Sequence, residues 1–276
     1  MIAFVNDRFI EEEKATIQIG DLSIQRGYAA FDFFRTVNKK PLFLNDHLDR
    51  FFKSAAMLLI EPQHTKTQLK EIILELVAKN NMETSGVRMI LTGGYSADGY
   101  SVSKPNLLIT QQTIQLPDAE KMNAGIKIIT EEYCRDLPAI KSTNYLMGVW
   151  LQQKLKEKKA DDVLYMHKGL VTELPRANIF IITSNDKIVT PVNDILFGVT
   201  RKKILEMPGH DQIEERDISV EELKTAKEVF MTSTTKRILP ITQIDDVPVG
   251  NGKAGPMTLT LYNDFLEMEE SWLASN

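Results

Sequence analysis

Ile140-Lys141-Ser142-Thr143-Asn144-Tyr145-Leu146 opens the stretch that decides the fold, and Val171-Thr172-Glu173-Leu174-Pro175-Arg176-Ala177-Asn178-Ile179-Phe180 closes it. Leu137-Pro138-Ala139 marks the entry, because the residue before a proline is pushed out of helical geometry. Ser142 or Thr143 can then cap a helix running to about Lys159, with Leu146, Trp150 and Leu155 as its apolar stripe. On that reading Lys141 sits just before a helix start, where desolvation and the positive end of the dipole disfavour the ammonium. A lysine perturbed in this way is suited to forming an imine with a carbonyl. Past the helix, Val163-Leu164-Tyr165-Met166 and residues 177–182 read as strands joined through His167-Lys168-Gly169, with Glu173 between them among apolar neighbours.

Composition narrows what this stretch can serve. The 276 residues can hold one large or two medium domains, and 43% hydrophobic with 26% charged residues is the balance of a globular protein. A net charge of −5 argues against nucleic acid or an anionic membrane as the main partner, though local basic pockets for small anions remain open. The single cysteine, Cys134, excludes an intramolecular disulfide framework, fits a reducing cytoplasm and reads as filler rather than a nucleophile. Met1 to Asp7 lacks a charged n-region and an apolar run, so no signal peptide is expected. No apolar segment approaches membrane-spanning length. A soluble, cytoplasmic chain is the expectation.

From the start, Phe4-Val5, Asn6-Asp7 and Arg8-Phe9-Ile10 read as a hairpin, and residues 17–24 as extended structure. Helices are expected from Asn45 to about Leu59 and from Thr67 to Asn80, the second with Leu69, Ile72, Ile73, Leu76 and Val77 on one face. Residues 87–91 and 107–110 read as strands around the glycine-rich loop Thr92 to Tyr100. Residues 114–125, polar and bounded by Pro117 and Gly125, read as a linker between an N-terminal domain of 1–113 and a C-terminal domain of 126–276. In the second domain, strands are expected at 187–190, 213–218 and 228–231. Ile195 to Arg201 opens a short helix, Ser219-Val220-Glu221-Glu222 is a capping box, and a last helix runs over about 257–272.

Alone, Lys141 or Glu173 would be read as an ordinary surface or loop charge. Together, the run from Lys141 to Leu146, the helix and the Val171 to Phe180 segment closely resemble the class IV aminotransferases, pyridoxal-phosphate enzymes of fold type IV. That family includes branched-chain aminotransferase, D-amino acid aminotransferase and aminodeoxychorismate lyase. The resemblance implies an α/β (α+β) fold of two domains, a smaller N-terminal one of sheet and helices and a larger β-rich C-terminal one. It implies that Lys141 is the Schiff-base lysine, that Glu173 faces the pyridine nitrogen and that Tyr145 lies near the cofactor's phenolic oxygen. His47-Leu48-Asp49-Arg50 matches the family's His-x-x-Arg helix, whose arginine binds phosphate. Gly198-Val199-Thr200-Arg201 and Thr232-Ser233-Thr234-Thr235 match its other phosphate elements. The chemistry agrees: a phosphate dianion wants amides at a helix start, which Val199 and Thr200 can supply. It also wants hydroxyls, from Ser233 and Thr234, and a fork-shaped cation, Arg50.

Departures bear on the substrate. Gly27-Tyr28-Ala29 stands where many relatives have Gly-Asp-Gly, Phe31-Asp32 where they have Phe-Glu, and Leu174 where a glycine follows the glutamate. Phe31, Arg35, Arg176 and Thr235 are candidate substrate-binding residues, and either arginine is equally readable as structural. Asp98 stands where the lyase branch tends to carry arginine, and Thr232 to Thr235 resembles the D-amino acid branch. The resemblance therefore implies transfer of an amino group between a branched-chain L- or a D-amino acid and a 2-keto acid. Aminodeoxychorismate lyase is the alternative. A non-catalytic binding module is disfavoured by retention of both Lys141 and Glu173. A homodimer is implied, because family sites are completed at domain and subunit boundaries. His47, His64, His167 and His210 form no i, i+4 pair, and no cysteine cluster, dinucleotide fingerprint or Walker loop is present, so no metal or nucleotide site is expected.

Overall fold

The computed structural model describes residues 1–209 and 212–275, and His210 lies outside them. The chain forms two compact units, residues 1–114 with 140–144 and residues 115–139 with 145–275.

The first unit begins with the hairpin β1 (Ile2–Val5) and β2 (Arg8–Glu11), turned at Asn6 in the left-handed region. Helix α1 (Leu22–Arg26), strand β3 (Ala29–Val37) and strand β4 (Lys40–Pro41) follow, then α2 (Leu44–Met57), α3 (Lys66–Asn80), β5 (Thr84–Thr92) and β6 (Leu107–Gln112). Among the described residues these strands make a six-stranded antiparallel sheet in the order β2-β1-β6-β5-β3-β4. Phe34, Leu48, Phe51, Ile73, Leu76, Met89 and Ile140 share the core cluster between sheet and helices. Thr65 and Gln68 close a capping box at the start of α3, which fixes where that helix begins. The extended reading of 17–24 fails at its end, because the Asp21 carboxylate accepts from Ser23 N and starts α1 there.

The second unit contains α4 (Ala119–Ala124), β7 (Ile126–Glu132), α5 (Leu146–Trp150), α6 (Gln152–Lys158), β8 (Asp162–His167), β9 (Leu170–Val171), β10 (Asn178–Ile182) and β11 (Ile188–Thr190). Then come α7 (Val199–Leu205), β12 (Glu214–Glu215), β13 (Ile218–Ser219), α8 (Val220–Lys224), β14 (Glu228–Ser233), β15 (Arg237–Ile244), β16 (Val247–Pro248) and α9 (Pro256–Ser275). Its sheet, ten-stranded among the described residues, runs β12-β11-β10-β14-β15-β7-β8-β9-β13, with β16 beside β15. The pairs β15–β7, β7–β8 and β11–β12 are parallel and the rest antiparallel. Alternate residues Val229 and Met231 of β14 enter a core with Ile179, Ile181, Leu239 and Ile241. The opposite face carries Phe180 stacked on Phe230.

Two readings of the sequence change here. Residues 114–125 are not bare linker, since Asp118 caps α4 and Met122 is buried. Nor does a helix start at Ser142. Ser142 bridges to Ala30, the Thr143 hydroxyl donates to the Gly27 carbonyl, and helix begins only at Leu146. Residues 140–144 thus pack with the first unit rather than the second. No helix among the described residues is long and apolar enough to cross a membrane.

Candidate active site

In the first unit the chemistry starts on β3. The run Ala29–Val37 is buried on both faces, so Asp32 enters the interior with no exposed surface. A buried carboxylate needs compensation. Arg50 of α2 supplies it in a fork, Nε to Oδ2 and Nη2 to Oδ1, both at 2.8 Å. His47, one helical turn earlier, places Nδ1 2.8 Å from Oδ1. Burial pushes the Asp32 carboxyl up, but the Arg50 charge and hydrogen bonds, with those of His47, outweigh it and hold the group well below the usual carboxylate range. Burial pushes His47 down, Asp32 opposes this, and the charges of Arg50 and Lys141 push it down further. Lys141 is anchored by its backbone, with N–H donating to Ser54 Oγ at 3.1 Å and C=O accepting from Phe31 N at 2.9 Å. Its Nζ stands 4.5 Å over the Phe31 ring. Phe31 thus lies directly beneath the lysine, and the anchoring comes from strand-like pairing, not from the expected helix start.

Arg35, further along β3, is 2% exposed. Asp98 folds its carboxylate back on its own loop, accepting from Ser101 N, Tyr100 N and the Ser96 and Ser101 hydroxyls. The Ser101 backbone hydrogen bond leads in holding it well below the usual carboxylate range. This carboxylate organises the loop.

In the second unit Glu173 is 4% exposed. Its backbone carbonyl accepts from Tyr165 N at 2.8 Å, which fixes the segment against β8. Arg135 donates to its Oε1 from Nε at 2.7 Å and from Nη2 at 2.6 Å, and Leu196 N donates to its Oε2 at 2.8 Å. Arg135 was missed in the sequence, where it stands between Cys134 and Asp136 with no spacing signal to mark it. From Leu196 the chain leads straight to the start of α7. Asn178 Nδ2 donates to the Leu196 carbonyl at 2.7 Å, and a Cβ on Gly198 would run into Asn178 Oδ1. Only glycine permits that approach. It sets Val199 and Thr200, both buried, at the helix start over the face of β10 and β14 that carries Asn178 and its register partner Thr232. Thr232 Oγ1 is buried with no hydrogen-bond partner. Beyond it Ser233, Thr234 and Thr235 form the half-buried turn into β15, with Lys236 N donating to Ser233 Oγ at 3.2 Å. Arg176 is exposed in the turn between Leu174 and Ala177, and Tyr145 is half-buried at the residue preceding α5.

Thus Lys141, Phe31 and Arg50 gather in one unit, while Glu173, Val199 and Thr200 gather in the other, the last three linked through Leu196 and Gly198. Among the described residues no group of three or more His, Cys, Asp or Glu side chains could hold a metal ion.

Comparison with known proteins follows the same lines. Residues 29–244 match the family model described as amino-transferase class IV. The D-alanine aminotransferase of Listeria monocytogenes is 34% identical over 278 residues, covering 97% of this chain and 96% of that protein. The putative branched-chain-amino-acid aminotransferase of Methanocaldococcus jannaschii is 28% identical, over 99% and 98%. Among solved structures, a branched-chain amino acid aminotransferase from Escherichia coli superposes with a TM-score of 0.89 at 22% identity, covering 96% of this chain and 93% of that one. That likeness is one of fold.

Proposed function

The chain belongs to the class IV aminotransferase family, and we propose that it moves the amino group between a D-amino acid of the alanine type and a 2-keto acid, with pyridoxal phosphate as cofactor. The observation that carries this reading is the 34% identity along 97% of the chain to a D-alanine aminotransferase. Transamination is favoured over lyase chemistry, since the named relatives are aminotransferases.

The residues fit the cofactor. A phosphate needs donors, and the buried Thr232 hydroxyl without a protein partner lies on the face where α7 begins. Arg50 is already oriented by Asp32, with its guanidinium presented as a fixed fork. Arg50, the Val199 and Thr200 amides, and Ser233 and Thr234 would hold the phosphate. Pyridoxal phosphate supplies, when bound, an electron sink for the pair left on the substrate's Cα. Lys141 would hold the cofactor through Nζ and, once displaced by the amino substrate, take the Cα proton on that nitrogen. Glu173 would accept from the pyridine N–H, kept in place by Arg135 and the Leu196 amide. Tyr145 would donate toward the cofactor's phenolic oxygen. For the substrate carboxylate, exposure favours Arg176 over the buried Arg35, with Thr235 as a further donor and Phe31 as the apolar wall. A cytoplasmic homodimer belongs to the same reading. Leu146, Val149 and Trp150, at 78, 69 and 69% exposed, give α5 an apolar face that a second copy would cover.

A cofactor-loaded sample mixed with single D- and L-amino acids, no keto acid present, tests the reading. D-alanine should convert the cofactor absorbance to that of pyridoxamine phosphate and release pyruvate. Conversion by L-leucine, L-isoleucine or L-valine alone would make the branched-chain reading the correct one, and no conversion by any amino acid would sink transamination.

A further inference from the structure

The turn that carries Thr234 and Thr235 is not held by its own hairpin alone. Ser233 and Arg237 pair across its base, and Arg237 sits there at φ +56°, in the left-handed region uncommon for residues other than glycine. Its side chain is tied to α9. Arg237 Nε donates to Glu269 Oε2 at 2.9 Å, and Glu269, late in α9, is buried. The same helix is fastened at its other end. Glu228, the first residue of β14, accepts from Met257 N, Thr258 N and the Thr258 hydroxyl, satisfying the amides that open α9. A Cβ on Gly255 would strike the Glu228 side chain, so glycine admits that cap.

The two fastenings match in length. Twelve residues of helix from Met257 to Glu269 rise about 18 Å, and the five steps of strand from Glu228 to Ser233 span about 17 Å. Helix α9 therefore runs alongside β14 and is tied at the strand's beginning and at the turn beyond its end. The geometry points to α9 as a strut and to Arg237 and Glu269 as positioning residues that set the Ser233–Lys236 turn for cofactor binding. The inference rests on the reading that this turn takes part in holding the cofactor. Neither Arg237 nor Glu269 need touch the cofactor. Their effect passes through the backbone, which the ion pair keeps in a conformation it would otherwise leave.

The test is fluorescence titration of the full-length protein with pyridoxal phosphate, alongside thermal melts of the cofactor-free form. Glu269→Gln keeps the shape and removes the charge. It should raise the cofactor Kd about tenfold, the scale of loss of an outer partner that orients a ligand, alongside the fall in the melt that loss of a buried ion-pair partner brings, while kcat at saturating cofactor stays within about twofold. Arg237→Lys keeps the charge but not the Nε donor, and should shift Kd in the same direction by less. If Glu269→Gln lowers the melt and leaves Kd unchanged, or if neither variant moves Kd, the strut is packing only and the inference is wrong. Thr234→Ala separates the two levels. An unchanged Kd in that variant removes the turn from the cofactor site, whereas a weakened Kd there beside an unchanged one in Glu269→Gln rejects the strut alone.

Discussion

The first unit holds a half-buried arginine on a buried acid, and the second holds a buried acid on an arginine. Arg50 is fixed because Asp32, on a strand covered on both faces, takes two of its N–H groups. Glu173 stays buried because Arg135 and one backbone amide take its oxygens. In both, the partner makes burial of the charge tolerable, since an uncompensated ion inside would cost several kcal/mol, about 3–5 when one partner is removed. The difference lies in what is left over. Arg50 belongs to a cluster with Asp32 and His47, in which the buried carboxylate takes two of its N–H groups and leaves the rest of the guanidinium to donate. On the Thr232 side stand a hydroxyl without a hydrogen-bond partner and a helix start reached through Gly198, whose missing Cβ leaves room for Asn178 Oδ1. One unit offers cations and the other neutral donors, and each set should fail in its own way when broken.

The largest effect is expected at Lys141. Lys141→Ala should cut turnover by about 10⁴-fold or more, the scale of losing a covalent nucleophile. The fold should survive, because Lys141 is tied in by its backbone N–H and C=O, which alanine keeps. Borohydride treatment of the wild-type holoenzyme followed by peptide mass spectrometry should mark Lys141, and a mark on another lysine would break the assignment.

Glu173→Gln comes next. The amide keeps one acceptor oxygen, enough for Arg135 or for Leu196 N but not for both, and it no longer balances a buried guanidinium or a protonated ring nitrogen. Turnover should fall about 10²- to 10³-fold, the range for losing one preorganised electrostatic contact, with cofactor still bound. Near-normal rates would make Glu173 a structural carboxylate whose function is to hold Arg135.

How much of this contrast the residues reveal in advance depends on the range of the interactions. Local signals were readable in part: the helices over Leu44–Met57 and Lys66–Asn80 follow from their periodic apolar faces, while the Thr65–Gln68 capping box that starts the second was not read. The motif positions of Lys141, Arg50 and Glu173 stand out by their order along the chain, and their roles belong to the proposed function. What escaped was long-range. Arg135 finds Glu173 across 38 positions, and no spacing rule connects them. Ser142 and Thr143 look like helix caps, but they spend their hydrogen bonds on Ala30 and Gly27, more than a hundred residues away. A cap and a bridge use the same donors and acceptors, and only tertiary packing decides between them. Asp98 is legible in the sequence only by its family position, while its hydrogen bonds go to its own loop.

Arg50→Ala should weaken cofactor binding rather than chemistry. A charged hydrogen bond contributes about 1.5–3 kcal/mol, so the cofactor Kd should rise roughly tenfold or more. The variant also strands Asp32, whose carboxyl Arg50 holds well below its usual range, so the folded protein should lose stability and bind a proton there. The native Asp32 contribution is present above the ordinary carboxylate range and is lost only as pH falls through the depressed value. Wild type should therefore resist mild acid better than the variant, which a pair of pH-dependent melts would measure. An unchanged cofactor affinity would confine Arg50 to holding Asp32.

The smallest effect is the sharpest test of the neutral-donor side. Thr232 Oγ1 is buried and makes no hydrogen bond within the protein, so the cofactor-free chain carries the desolvation cost of a hydroxyl with nothing in return. Thr232→Val replaces that hydroxyl by a methyl of similar size on a β-branched frame suited to β14. Removing an unsatisfied polar group is worth about 1–3 kcal/mol, so the cofactor-free variant should melt higher, by a few degrees at about 2–4 °C per kcal/mol for a unit of this size. Cofactor binding should move the other way, because on the proposed reading the phosphate is the partner this hydroxyl otherwise lacks. Melts with and without pyridoxal phosphate would show both shifts in one experiment, with the stabilisation by cofactor shrinking as the baseline rises. If the variant melts lower and binds the cofactor as wild type does, the hydroxyl is packing against protein rather than waiting for a ligand, and the phosphate belongs elsewhere than over Thr232.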